Sequence, residues 1–84
     1  MNKITVRYFA SIREAVGQGS EPVHTSAATL GALRDELIAR GGAHASSLAR
    51  GKAVRMALNQ VLSDDAAALA DGAEVAFFPP VTGG

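Results

Sequence analysis

A single stretch of this chain, Leu30 to Ile38, repeats apolar residues at helical spacing, and it stands between two stretches that alternate with a period of two. Leu30, Leu33, Leu37 and Ile38 share one helix face, Thr29 is placed to cap the N-terminus, and Gly41-Gly42 ends the pattern. Ala32 stands where a capping box would place Glu or Gln, and Gly31 is expected to weaken the first turn slightly. On the N-terminal side, Lys3 to Phe9 sends Ile4, Val6 and Tyr8 to one face and Lys3, Thr5, Arg7 and Phe9 to the other. On the C-terminal side, Glu74 to Phe78 sets Val75 and Phe77 against Ala76 and Phe78. One helix of this length covers one face of a sheet, so the spacing predicts an α+β fold with a mixed sheet packed on one main helix. Strand order is not written in such a pattern.

The shorter elements fill in around this frame. Ser11 to Val16 predicts a short helix stopped at Gly17, and Val23 to Thr25 a brief strand returning as a hairpin. His44 to Arg50 predicts a further helical turn, Ala53 to Leu58 a strand, Asn59-Gln60 a turn, and Val61-Leu62 a very short strand or bridge. Asp71-Gly72 is a turn signal into the last strand. Pro79-Pro80 cannot continue a central strand, which divides the chain into a body over 1–78 and an extended tail over 79–84.

Composition removes several functional classes. Eight basic and eight acidic residues cancel, so the chain lacks the positive field used to hold a phosphate backbone, and nucleic acid is not an expected partner. The absence of cysteine excludes disulfides, zinc-thiolate sites and a cysteine nucleophile together. The alternating N-terminus does not read as a secretory signal, and no stretch has the length of a membrane span, which makes the cytoplasm the default expectation.

Within the body no constellation carries chemistry. His24 and His44 have no second ligand at metal spacing and read as ordinary surface or strand-edge residues. Gly17-Gln18-Gly19 and Gly41-Gly42 fit neither a dinucleotide nor a Walker pattern, and Asp64-Asp65 reads as a solvated turn or a helix start. No metal site is expected. The remaining candidate is the tail, in which Pro79, Pro80, Val81 and Thr82 lead to Gly83 and Gly84. Six residues at about 3.3 Å each reach up to about 20 Å from the body. Two glycines without Cβ atoms can pass a narrow channel, leaving the Gly84 α-carboxylate as the one group able to react. A carboxylate becomes an electrophile once activated, for instance as an acyl-adenylate. The aromatic pair Phe77-Phe78 directly before the prolines distinguishes this segment from an ordinary polar chain end.

Three segments resemble the small, sulfur-carrying subunit of molybdopterin synthase: Tyr8 to Gly17, Asn59-Gln60, and Asp71 to Gly84, with Phe77-Phe78-Pro79-Pro80-Val81-Thr82-Gly83-Gly84 the most specific. The match is looser from Gly17 to Arg50. The resemblance implies a ubiquitin-like β-grasp body and a Gly84 that is adenylated by an ATP-using activating enzyme, then converted to a thiocarboxylate. Cysteine desulfurase or rhodanese-like proteins are the implied sulfur source. The tail would then enter the large synthase subunit, in a heterotetramer with two of each chain, and pass sulfur to cyclic pyranopterin monophosphate. Catalytic side chains would belong to the large subunit, this chain binding no cofactor alone. Partner contacts are implied at Phe9, Leu62 and Phe78. The strand pattern reaches Phe9 and Phe78 independently, as aromatics on the face opposite the core.

The tail alone leaves other classes open: a modifier joined to target lysines through Gly84, a carrier for thiamine or tRNA thiolation, or a plain adaptor domain. Intact mass separates the first from a sulfur carrier, and a copurifying large subunit separates the second. The adaptor reading expects no effect from deleting Gly83-Gly84.

Overall fold

The computed structural model describes residues 1–80; residues 81–84 lie outside it. Five strands form one mixed sheet: β1 (Asn2–Tyr8), β2 (Ser20–Thr25), β3 (Arg55–Leu58), β4 (Val61–Ser63) and β5 (Glu74–Phe78), in the order β2-β1-β5-β3-β4. The central pair, β1 and β5, is parallel, and the other neighbours are antiparallel. Three helices complete the body: α1 (Ala10–Val16), α2 (Leu30–Ile38) and α3 (Gly42–Leu48).

The alternation of the two end strands sorts the sheet into a core face and an outer face. Ile4, Val6 and Tyr8 of β1 and Val75 and Phe77 of β5 are each no more than 1% exposed, and they pack with Leu30, Leu33 and Leu37 of α2. The Thr29 hydroxyl caps α2 by accepting from the Ala32 N–H at 3.2 Å, as its position in the sequence suggested. Gly17 ends α1 in the left-handed conformation at φ 87°, its N–H donating to the Arg13 carbonyl.

Two local expectations change. Phe9 is not the last residue of the first strand; it is the N-cap of α1, in extended conformation, because its carbonyl begins the helix by accepting from the Arg13 N–H. Gly31 does more than loosen a helix start. A Cβ there would lie 2.9 Å from Asp65 Cβ and 3.2 Å from the Asp65 carbonyl oxygen. The close approach lets the Leu30 and Gly31 N–H groups donate to the carbonyls of Ala67 and Asp65, so the loop before β5 caps the helix.

Arg34 on α2 is 5% exposed, and its guanidinium is satisfied by main chain: Nε donates to the Leu48 carbonyl and Nη2 to that of Ala49, both at 2.8 Å. A buried charge held by carbonyl dipoles ties the end of α3 and the segment leading to β3 onto α2. Asn59 and Gln60, with φ of 50° and 69°, make the tight connection between β3 and β4, and the Asn59 side chain accepts from the Glu74 N–H at the start of β5.

Candidate functional site

The expected reacting group, the Gly84 carboxylate, and Val81, Thr82 and Gly83 before it lie outside the described residues. What the structure describes is the root of that segment and the surface around it. Phe78 ends β5 on the outer face, half-buried, and Pro79 and Pro80 that follow it are half-buried too. Phe9 begins α1 beside it and is 38% exposed. These side chains rim a groove of about 810 Å³ whose floor is made by two alanines, Ala57 and Ala76.

Register explains the groove. Arg7, Ala76, Ala57 and Leu62 are paired in turn across β1, β5, β3 and β4, so all four face outward in one row. With alanine on the two middle strands, the row dips at its centre and rises at both ends. Leu62, the third expected contact, is 62% exposed on the edge strand. It lines a neighbouring depression with Arg55, and Pro80 borders both depressions. The fold therefore sets on one face the two aromatics that strand alternation marked and the leucine that only the family resemblance implied, the aromatics in one groove and Leu62 in the next depression.

Arg7 was not singled out by the sequence. Its guanidinium stands 5.2 Å from the centre of the Phe9 ring and 3.7 Å from the Glu74 carboxylate. The only signal for it is its place two residues before Phe9 in an alternating strand.

On the core side, Tyr8 supports the strand end from below. Its ring stacks on Phe77 with centroids 6.3 Å apart, and its hydroxyl donates to Glu21 Oε2 at 2.6 Å. Arg40 Nη1 donates to Glu21 Oε1 at 2.8 Å, and His44 Nε2 lies 3.0 Å from Oε2 with its ring edge-on to Tyr8. His44 is thus not an ordinary surface residue: its side chain is 17% exposed and joins α3 to the β1–β2 pair. Burial alone would raise the Glu21 carboxyl, but hydrogen bonds from Tyr8, Arg40 and His44 outweigh it and hold the pKa down to about 2. Burial, reinforced by that carboxylate, pushes the Tyr8 phenol well above its ordinary value. The cluster is closed on itself and offers no free base or nucleophile. Among the described residues no group of His, Asp or Glu is placed to hold a metal ion, and no described helix is long and apolar enough to cross a membrane.

The arrangement suits a protein that is held by the outer face of its sheet. Comparison with known proteins shows what the chain is similar to. The ThiS family model matches residues 6–84. The molybdopterin synthase sulfur carrier subunit of Escherichia coli is 44% identical over 81 residues, covering 96% of this chain and 99% of that protein. Among solved structures, SAMP1 from Haloferax volcanii superposes with a TM-score of 0.79 at 27% identity, covering 99% of this chain and 100% of that one. A chain in the complex of subunits 1 and 2 of the molybdopterin-converting factor from Helicobacter pylori gives a TM-score of 0.69 at 28% identity, covering 98% of this chain and 99% of its own.

Proposed function

The chain belongs to the ThiS family, and on that premise we propose that it is the sulfur carrier of molybdopterin synthesis, donating sulfur from a thiocarboxylate on Gly84. The observation that carries this reading is the near-complete match to the Escherichia coli carrier subunit, on a chain whose described body holds no catalytic constellation of its own. The Helicobacter pylori complex of subunits 1 and 2 supports a large synthase subunit as the partner.

In this reading the body is a handle and the tail a cosubstrate. An ATP-using enzyme joins AMP to the Gly84 carboxylate with loss of pyrophosphate, and hydrosulfide released by a sulfur donor then displaces AMP, losing its proton, to leave the thiocarboxylate. The large subunit binds the face bearing Phe9, Phe78 and Leu62, which directs residues 81–84 into its active site. Sulfur passes there to cyclic pyranopterin monophosphate. These steps belong in the cytoplasm, with two carriers and two large subunits in the working assembly.

The test is intact mass of the chain after incubation with the activating enzyme, ATP and a sulfur donor, followed by product formation with the large subunit. Exchange of one oxygen for one sulfur is expected; a ladder of heavier protein adducts would instead show conjugation. Appending one residue after Gly84 moves the carboxylate by about 3.3 Å, and misplacing a reacting group by about 1 Å already costs on the order of 10²-fold. The extended chain should keep its Tm and lose sulfur transfer. Normal transfer from it would refute the terminal-carboxylate chemistry.

A further inference from the structure

The chain is formally neutral, yet its charges are not evenly spread. Strand alternation turns Lys3 and Arg7 of β1 and Arg55 of β3 to the outer face, and the register pairs Arg7 with Ala76 and Arg55 with Phe78 on that same face. Against these three cations, the outward positions of the described strands hold one carboxylate, Glu74, a surplus of two. The rest of the chain carries the balancing negative charge.

The two arginines are also placed alike. Arg7 lies against the ring of Phe9, and Arg55 is the cross-strand neighbour of Phe78. Each aromatic that rims the groove therefore has an arginine as a neighbour: the Arg7 guanidinium lies on Phe9, and Arg55, which lines the adjoining depression, is paired across the strands with Phe78. Arg7 is only loosely engaged by Glu74, at 3.7 Å with both side chains partly exposed, and no described acidic group pairs with Arg55. An exposed pair of this kind contributes little to stability, so Arg7 as well as Arg55 is available to a partner. The strands of Arg7 and Arg55 are two spacings apart, and the residues are offset by two positions along them. Their α-carbons are thus about 12 Å apart.

We propose that the protein surface covering this face carries two carboxylates, spaced to meet Arg7 and Arg55, on either side of an apolar side chain that fills the groove over Ala57 and Ala76. The proposal rests on the carrier reading and identifies the large synthase subunit as the bearer of that surface. A second copy of this chain is the wrong occupant, because stacking the face on itself would bring arginines against arginines, and like charges at an interface are strongly disfavoured. Complementary charge would act mainly on encounter: it raises the association rate and makes that rate fall with salt.

The experiment measures association of the purified chain with its large subunit across ionic strength, for wild type, Arg7→Glu, Arg7→Gln, Arg55→Glu and Glu74→Gln. The two arginine-to-glutamate variants should each slow association by roughly threefold to tenfold at low salt, and Glu74→Gln should speed it, with all rates converging at high salt. Arg7→Gln serves if the reversed charge beside Glu74 impairs folding. A wild-type rate indifferent to salt, or a Glu74→Gln variant that slows like the others, overturns the proposal while leaving the carrier reading intact. Failure of the wild-type chain to bind the large subunit at any salt overturns both.

Discussion

Phe77 and Phe78 are adjacent, chemically identical and expected to respond in opposite ways to the same change. Phe77 is fully buried, stacked on Tyr8 in the centre of the core. Truncating it to alanine removes that packing and leaves a cavity, at about 3–5 kcal/mol. A chain of 84 residues has a total stability of roughly 4–13 kcal/mol, taking about 0.05–0.15 kcal/mol per residue. The loss is therefore a large share of the whole, and at about 4–8 °C per kcal/mol the Tm should fall by roughly 12–40 °C. Phe77→Leu, retaining part of the volume, should lose about 1–2 kcal/mol and remain measurable if the alanine variant does not fold. Phe78→Ala, on the groove rim, should cost the fold less than about 1 kcal/mol but weaken binding of the large subunit by about tenfold or more. Urea titration and a binding isotherm on both variants give the comparison. A near-neutral Phe77 variant, or an unfolded Phe78 variant, would mean that β5 is shifted by one residue, since a single slip exchanges the two faces.

Acid should unfold the protein partly through Glu21, whose folded pKa of about 2 lies below its ordinary value of 4.5. The stabilisation is present above 4.5 and is lost as pH falls toward 2; the linkage gives up to about 3 kcal/mol, reduced by solvent screening to roughly 1–2. Glu21→Gln should be less stable at neutral pH and show a flatter stability profile between pH 5 and about 2 than wild type, followed by urea midpoints at each pH. Gly31→Ala, a substitution that stabilises many helices, should here destabilise by about 1–3 kcal/mol because its Cβ would press on Asp65; a gain in Tm would refute the packing argument.

Much of the body was readable wherever structure depends on near neighbours. Ile4, Val6 and Tyr8 announced a half-buried strand by period alone, and Thr29 and Gly17 announced helix ends through hydrogen bonding and backbone angle that need only a few residues. What could not be read depends on pairs far apart in the chain. Gly31 looked like a weak point because its partner, Asp65, is more than thirty positions away. His44 looked ordinary because Glu21 and Tyr8 reach it only once α3 folds against the sheet. Phe9 was placed on the correct face and in the wrong element, since alternation does not reveal where a strand gives way to a helix cap. The groove floor was invisible for a similar reason: Ala57 and Ala76 mean nothing until the β3–β5 register sets them side by side.

The parallel pairing of β1 with β5 also fixes how the molecule bears a pull. The two strands run side by side in the same direction at the middle of the sheet, matched from Thr5 and Glu74 to Tyr8 and Phe77. Tension drawing the far end of β5 away from the near end of β1 acts along the strands, across the hydrogen bonds between them. Those bonds are then loaded together in shear, where an antiparallel hairpin pulled at its open end would let them go one at a time. A pull applied at Phe78 and resisted at Asn2 therefore meets the whole β1–β5 ladder at once, which makes this pair the part of the sheet built to resist such a load.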